Sequence, residues 1–140
     1  MNDPYNLQRF ADAQAPVIEE VRAELSRGRK ESHWMWFIFP QLRGLGSSSM
    51  AERYGISSRQ EAEAYLVHPV LGPRLRECTE LANAVPNTSV EQIFGYPDNL
   101  KFRSSMTLFS ALTADDDIFR AALDKYFNGE PDPVTAARLR

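Results

Sequence analysis

The sequence predicts a single all-α domain of about six to eight helices, several of them short. Apolar residues recur at the three- and four-residue spacing of one helical face. The nine prolines stand mostly where a helix would begin or has just ended, and no stretch shows the alternation of a β-strand. Because 140 residues suit one domain, we assign 1–140 to it, with 130–140 as a tail or a short helix.

Capping and stop residues mark the first helices. Leu7 and Phe10 indicate a short helix capped near Asp3 or Asn6. The next helix is amphipathic and should end at Gly28, because glycine readily takes the left-handed conformation of a helix stop. Its inward face holds Val17, Ile18, Val21 and Leu25. A serine-capped helix with Met50, Ala51 and Tyr54 is expected after Ser47–Ser49.

Two capping boxes mark the middle of the chain. Ser58 with Glu61 should open a helix that runs to about Val67, and Ser89 with Gln92 should open a single short turn. Between them, a helix that begins at a proline turns one apolar face inward. That face holds Leu71, Leu75, Cys78, Leu81 and Ala82.

The last long helices follow two groups of aspartates. Asp98 is expected to cap a helix with apolar residues on two sides, which is typical of a central position. One side holds Leu100, Ser104, Thr107, Leu108 and Ala111, and the other holds Phe102, Met106 and Phe109. Asp115, Asp116 and Asp117 lie where a helix dipole favours carboxylates, ahead of a helix that ends at Gly129.

The segment from Gly28 to Ser49 differs from the rest of the chain. It contains both tryptophans, interleaved aromatic and basic residues, and a Gly/Ser-rich end. One interpretation is a buried core helix from Trp34 to Phe39. The other is that a flat ring flanked by Lys30 and Arg43 binds a planar group beside an anion, as in a nucleotide. Helical spacing predicts that one tryptophan is core and the other accessible.

The helix expected at Asp98 carries the second group of polar residues: Asp98, Lys101, Ser104, Ser105 and Thr107. Buried hydroxyls and charges need partners, so this group suits a binding site. The plain alternative is that Asp98 only caps the helix and Lys101 only projects into solvent. Ser104 and Thr107 would then bond the carbonyl one turn back.

The inventory for catalysis is small. His33 and Asp98 are the candidates for acid–base chemistry, since His68 precedes a proline in a loop. Cys78 on an inner helical face is expected to be inert packing. No metal-ligand spacing occurs, and we predict no metal and no cofactor.

Charge and hydropathy exclude several classes. The formal net charge is −3, with 16 basic against 19 acidic residues, so no basic field covers the domain and nucleic-acid binding is disfavoured. No apolar run is long enough to cross a membrane. The chain opens with polar residues rather than a signal peptide, and we expect a cytoplasmic protein.

Three stretches resemble closely a bacterial family catalogued as domain of unknown function 1810: KESHWMWFIFPQLRGLGSSSMAERYGI, LVHPVLGPRLREC and IFGYPDNLKFRSSMTLFSAL. The resemblance extends from about Asn6 to Gly129. It implies a small, all-helical cytosolic domain and no established activity. Its signature residues fall on the two segments described above, and they draw attention to Gln41, Gly46, Ser47 and Lys101.

Together these observations predict a pocket between the 30–47 segment and the helix that starts at Asp98. Its ligand-binding residues would be Lys30, Trp36, Gln41, Arg43, Gly46, Ser47, Lys101, Ser105 and Thr107, and its catalytic candidates His33 and Asp98. The ligand would be a small anionic or nucleotide-like molecule. The alternative is a protein-interaction or regulatory module that docks a partner on exposed members of Trp34 to Phe39. The sequence leaves open whether the protein is an enzyme and what its oligomeric state is.

Overall fold

A computed structural model describes residues 2–113 and 117–139. Over these residues the chain forms ten α-helices: α1 (Gln8–Gln14), α2 (Ile18–Arg27), α3 (Met35–Ile38), α4 (Ser49–Tyr54), α5 (Arg59–Val67), α6 (Leu71–Ala84), α7 (Val90–Phe94), α8 (Asp98–Ser110), α9 (Ile118–Phe127) and α10 (Pro133–Arg138).

The prediction of an all-α domain is confirmed, but the number of helices is ten rather than six to eight. Short helices account for the difference, since α3 has four residues and α10 has six, too few to display helical periodicity. The described residues contain no β-strand. A single parallel bridge joins Leu42 to Ile56 and so holds the two ends of the loop that carries α4.

Local sequence signals are confirmed at several helix ends. Gly28 ends α2 with φ of 75°, and Ser89 with Gln92 forms a complete capping box at α7. Asp3 caps the first helix by accepting hydrogen bonds from two backbone N–H groups, Leu7 at 2.8 Å and Gln8 at 3.0 Å. These interactions lie within a few residues along the chain, so the sequence alone carries the information for them.

Of the two groups of aspartates predicted at helix starts, one behaves differently in the structure. Asp98 makes no capping hydrogen bond, because α8 begins after Pro97 and the Asp98 carboxylate turns to two lysines instead. Of the three aspartates before α9, Asp117 caps the helix by accepting from the Phe119 and Arg120 N–H groups at 2.8 and 2.9 Å. Asp115 and Asp116 lie outside the described residues.

Helix α8 is central, as its two apolar sides predict. It packs against α9, α7, α10, α5 and α3, and Phe102, Met106, Leu108 and Phe109 are fully buried on it. Phe102 stacks on Phe94 with ring centroids 4.5 Å apart and meets Phe39 edge-on at 5.0 Å. The prediction of Leu100 and Ala111 as inward-facing is wrong, because both are exposed at the two ends of the helix.

A buried carboxylate joins the N-terminal helix to the middle of the chain. Glu61 is 1% exposed and accepts from the Ser57 N–H at 2.8 Å and from an Arg9 guanidinium nitrogen at 3.0 Å. The same guanidinium donates to the carbonyls of Arg53 and Gly55. Arg9 therefore fixes the end of α4 to the start of α5.

Candidate functional site

Most of the 30–47 segment is irregular backbone around the short helix α3, and Glu24 on α2 holds its beginning in place. The Glu24 carboxylate is 1% exposed. It accepts from the Glu31 and Ser32 N–H groups at 2.7 and 3.0 Å, from the Ser32 hydroxyl at 2.6 Å and from Trp34 Nε1 at 2.9 Å. Burial raises the pKa of this carboxyl, but the hydrogen bonds outweigh burial and lower the pKa to about 2.

Two further contacts position the segment from outside. The backbone N–H of Lys30 donates to the carbonyl of Ile93 on α7 at 2.7 Å. The Gln14 side chain of α1 is buried and donates to the Phe37 carbonyl at 2.7 Å. The segment is therefore anchored at its start and in its middle by helices that lie far away in sequence.

The two tryptophans have different environments. Trp34 is 1% exposed and belongs to the core, whereas Trp36 is partly exposed. The remaining apolar residues of this stretch, Met35, Phe37, Ile38 and Phe39, are buried. The stretch from Trp34 to Phe39 therefore offers no continuous apolar patch to a protein partner. The large exposed apolar side chains are found elsewhere, with Tyr96 and Leu100 among them.

Two lysines share one carboxylate where the segment meets α8. Lys30 Nζ lies 2.9 Å from Asp98 Oδ2, and Lys101 Nζ lies 3.4 Å from Asp98 Oδ1. Each ammonium also lies over an indole ring, Lys30 at 5.1 Å from the Trp34 centroid and Lys101 at 4.9 Å from that of Trp36. The cluster carries a net charge of +1, from two ammonium groups and one carboxylate.

A narrow cleft lies beside this cluster, between α3, α4 and the start of α8. Its polar lining comes from Trp36, Gln41 and Lys101, and the rest comes from Met35, Phe39, Ala51, Tyr54 and Gly55. The space that a water-sized sphere can enter is about 10 Å³, roughly enough for one water molecule. A larger ligand must therefore displace the Lys101 side chain or α4.

Trp36, which lines the cleft, carries an unsatisfied donor. Its indole Nε1 is buried and has no hydrogen-bond partner among the described residues. Buried polar atoms are rarely left without a partner, and a ligand acceptor or a water would provide one. On α8, the Ser105 hydroxyl and the Asn99 side-chain oxygen are likewise buried and have no hydrogen-bond partner among the described residues.

The other predicted ligand-binding residues lie at varying distances from the cleft. Gly46 is beside it, since a Cβ there would lie 3.8 Å from the Gln41 amide nitrogen and 3.0 Å from the Ala51 Cβ. Arg43 and Ser47 are exposed. Arg43 donates from its guanidinium to the Gly55 carbonyl at 3.4 Å.

Thr107 and His33 do not meet the cleft. Thr107 donates to the Arg103 carbonyl at 2.8 Å and accepts from the Asp132 N–H at 2.8 Å, at the opposite end of α8 from Asp98. His33 is exposed and does not line the cleft. Asp98 is bound to both lysines, so its position suits the orientation of Lys101 better than proton abstraction.

Other titratable groups add no nucleophile or metal centre within the described residues. Cys78 is fully buried, and burial raises the pKa of its thiol to about 12, which agrees with the prediction of inert packing. Residues 2–113 and 117–139 contain no group of three metal-ligating side chains. Among the helices described within these residues, none is long and apolar enough to span a membrane.

Sequence reasoning missed the residues that support the site. The sequence patterns do not single out Glu24, Met35 or Tyr54 as parts of the site. No local signal distinguishes a glutamate that binds a distant loop from one that faces solvent. The capping motif at Ser48, which accepts from the Ala51 N–H at 3.1 Å, is the only one of these features that spacing could predict.

Comparisons with known proteins show the family and give no activity. A family model described as "Protein of unknown function (DUF1810)" matches residues 4–139. The crystal structure of the conserved hypothetical protein Rv1873 from Mycobacterium tuberculosis is similar, with 59% sequence identity, 96% of each chain covered and a TM-score of 0.95. None of the curated proteins matches the sequence.

Proposed function

The chain belongs to the DUF1810 family of proteins of unknown function, and from that premise we propose that it binds a small anionic, nucleotide-like ligand at the cleft lined by Trp36, Gln41 and Lys101. The observation that carries this proposal is that Trp36 lines the cleft beside Lys101 while its buried indole Nε1 has no hydrogen-bond partner among the described residues. Both groups call for an acceptor atom, and an anionic group supplies one.

The charge of the cluster supports an anion rather than a neutral ligand. Asp98 neutralises one of the two lysines, and Lys30 is the nearer and more buried partner, with 8% of its side chain exposed. Lys101 lies 3.4 Å from the same carboxylate and is 23% exposed. An incoming phosphate or carboxylate can therefore take Lys101 as its partner while Lys30 continues to hold Asp98.

The apolar lining of the cleft favours a ligand in which a ring is attached to the anionic group. Met35, Phe39 and Tyr54 bound the cleft beyond Trp36, and aromatic surroundings favour stacking or edge contacts with a planar group. Because the cleft as it stands admits about one water, ligand entry requires that Lys101 swing outward or that α4 move. A partly exposed lysine side chain moves readily, on the timescale of rotamer exchange.

The proposal assigns a role to each group that contacts the ligand. Lys101 binds the anion, Trp36 contacts the ring and donates from Nε1, and the Gln41 amide donates or accepts at the third side. Asp98 acts as a positioning residue, because it holds Lys101 over Trp36 in the empty cleft. Lys30 then supports the site by holding Asp98 and does not contact the ligand.

The test is a thermal-shift screen of the full chain against nucleotides, NAD, ADP-ribose and sugar phosphates. A ligand whose free concentration is about 100 times its dissociation constant should stabilise the protein by roughly 2.7 kcal/mol. Lys101→Met and Trp36→Phe should abolish the shift. Arg29→Gln is the matched control, because it removes one positive charge at an exposed residue that does not line the cleft.

The outcomes separate the proposal from non-specific charge effects. A shift that survives Lys101→Met, or that disappears equally in Arg29→Gln, would exclude the cleft as the binding site. No shift across the panel, with all proteins folded, would count against a nucleotide-like ligand.

A further inference from the structure

A second cavity lies on the other side of α8, between the ends of α5, α8, α9 and α10. Its volume is about 330 Å³, at the lower end of the range of small-molecule sites. Leu123, Pro131, Ala136 and Leu139 form its apolar wall. Arg59 and Arg120 also line it, and both are exposed.

The hydroxyl groups in this cavity are already engaged. Thr107 donates its hydroxyl proton to the Arg103 carbonyl at 2.8 Å, and Ser110 donates to the Thr107 carbonyl at 3.1 Å. Neither hydroxyl has a proton left to donate to a ligand. The groups able to donate to a bound molecule are therefore the two guanidinium groups.

The charges around the cavity favour one negative charge in a ligand. Arg120 Nε lies 3.5 Å from Asp124 Oδ1, and both side chains are more than half exposed. Because this ion pair uses Nε, the two terminal nitrogens of the guanidinium group can still donate to a planar anion. Arg59 contributes a second cation. The described lining residues include no acid, and the charges of Arg59, Arg120 and the Asp124 carboxylate beside Arg120 sum to +1.

We propose that this cavity binds a small monocarboxylate with an apolar body. The carboxylate would take bidentate hydrogen bonds from the guanidinium groups of Arg59 and Arg120, and the apolar body would cover the wall formed by Leu123 and Ala136. This site is separate from the Trp36 cleft and shares no lining residue with it. The two proposals therefore stand or fall independently.

The experiment uses naphthoate as the probe and naphthalenemethanol as its uncharged partner of the same shape. Amide NMR spectra of the full chain are recorded during titration with each. Naphthoate should shift the amide signals of Ser110, Leu123 and Ala136, and it should bind at least about tenfold more tightly than the alcohol.

Two variants test the two parts of the site. The double variant Arg59→Gln with Arg120→Gln should lose at least about tenfold in affinity for naphthoate, whereas Arg27→Gln, an exposed arginine on α2, should bind as the parent does. Ala136→Leu adds a side chain that occupies part of the cavity, and it should weaken binding while the amide spectrum stays that of a folded protein.

Three results would overturn the proposal. The first is the absence of shifts at the cavity, and the second is equal binding of the acid and the alcohol. The third is unchanged affinity in the arginine double variant or in a folded Ala136→Leu protein. Lys101→Met should leave naphthoate binding unchanged, and a loss there would mean that the probe occupies the Trp36 cleft instead.

Discussion

Lys30 and Asp98 form an ion pair of 2.9 Å that joins the aromatic segment of the chain to its central helix. Lys30 is 8% exposed and also lies over the Trp34 ring. Asp98 has a second lysine partner, Lys101, at 3.4 Å. One carboxylate thus connects a buried structural lysine with a more exposed lysine at the cleft.

The two lysines should therefore differ in their effects on stability. Lys30→Met removes the shorter and more buried ion pair, and we expect it to lower the free energy of unfolding by about 2 kcal/mol. Lys101→Met removes a weaker, more exposed partner and should cost at most about 1 kcal/mol. Urea unfolding of the two variants measures the difference. Equal losses would contradict the distinction between a supporting and a ligand-binding lysine.

The pH dependence of stability should report on Glu24. Its pKa is about 2 in the folded protein against an ordinary value of 4.5, so the unfolded chain binds a proton more readily. Above the pKa that Glu24 has in the unfolded chain, the carboxylate contributes its full stabilisation, as much as about 3 kcal/mol. This contribution is lost as the pH falls toward the pKa of Glu24 in the folded protein. Urea unfolding at pH about 6 and about 3 measures it.

Glu24→Gln provides the control for that measurement. The amide keeps one acceptor but brings a donor toward the Ser32 hydroxyl and the N–H groups of the loop, and we expect a loss of about 2 kcal/mol near neutral pH. The variant should lack the part of the acid-induced loss that Glu24 causes. An acid profile identical to that of the parent would contradict the assignment.

Cys78 should not react with thiol reagents while the protein is folded. Its side chain is fully buried, and the thiol pKa of about 12 leaves almost no thiolate near pH 8. Labelling with a chromogenic disulfide should begin only in urea, at the rate at which the chain unfolds. Rapid labelling of the native protein would show that the face of α6 bearing this residue opens readily.

Gly72 and Gly95 offer a matched pair for backbone packing. An added Cβ at Gly72 would clash with the Leu66 carbonyl oxygen, whereas at Gly95, with φ of 73°, it would meet nothing within 4 Å. Gly72→Ala should therefore cost about 3 kcal/mol, because the backbones of α5 and α6 must separate. Gly95→Ala meets no neighbour and should cost only the backbone strain, about 2 kcal/mol, because φ of 73° with ψ of 174° is a conformation that essentially only glycine adopts. Urea unfolding of the two variants measures both losses. A larger loss in Gly95→Ala than in Gly72→Ala would contradict the close approach of Gly72 to the Leu66 carbonyl.

Interactions between neighbouring residues could be predicted from the sequence, and interactions across the fold could not. Gly28 and the Ser89–Gln92 box occupy the positions that their spacing indicates. Asp98 has the local pattern of a cap, yet a lysine from a distant segment takes its carboxylate. A charge-assisted contact outweighs a cap when the fold brings the two charges together, and sequence order does not reveal that approach.

The candidate site shows the same limit. The interleaved aromatic and basic residues of the 30–47 segment point to Trp36, the polar residues of the helix at Asp98 point to Lys101, and the family resemblance adds Gln41. All three line the cleft. It gave no means of separating them from Thr107, which lies at the other end of α8. Helical periodicity describes which face a residue occupies but not which end of a helix meets a given loop.

The different environments of the two tryptophans give the protein its own optical reporters. Trp34 is sealed in the core with its Nε1 bonded to Glu24, whereas Trp36 lies beneath the Lys101 ammonium at the cleft. An anionic quencher such as iodide should therefore extinguish the Trp36 emission selectively. In a Trp34→Phe background, fluorescence would follow events at the cleft without any attached dye.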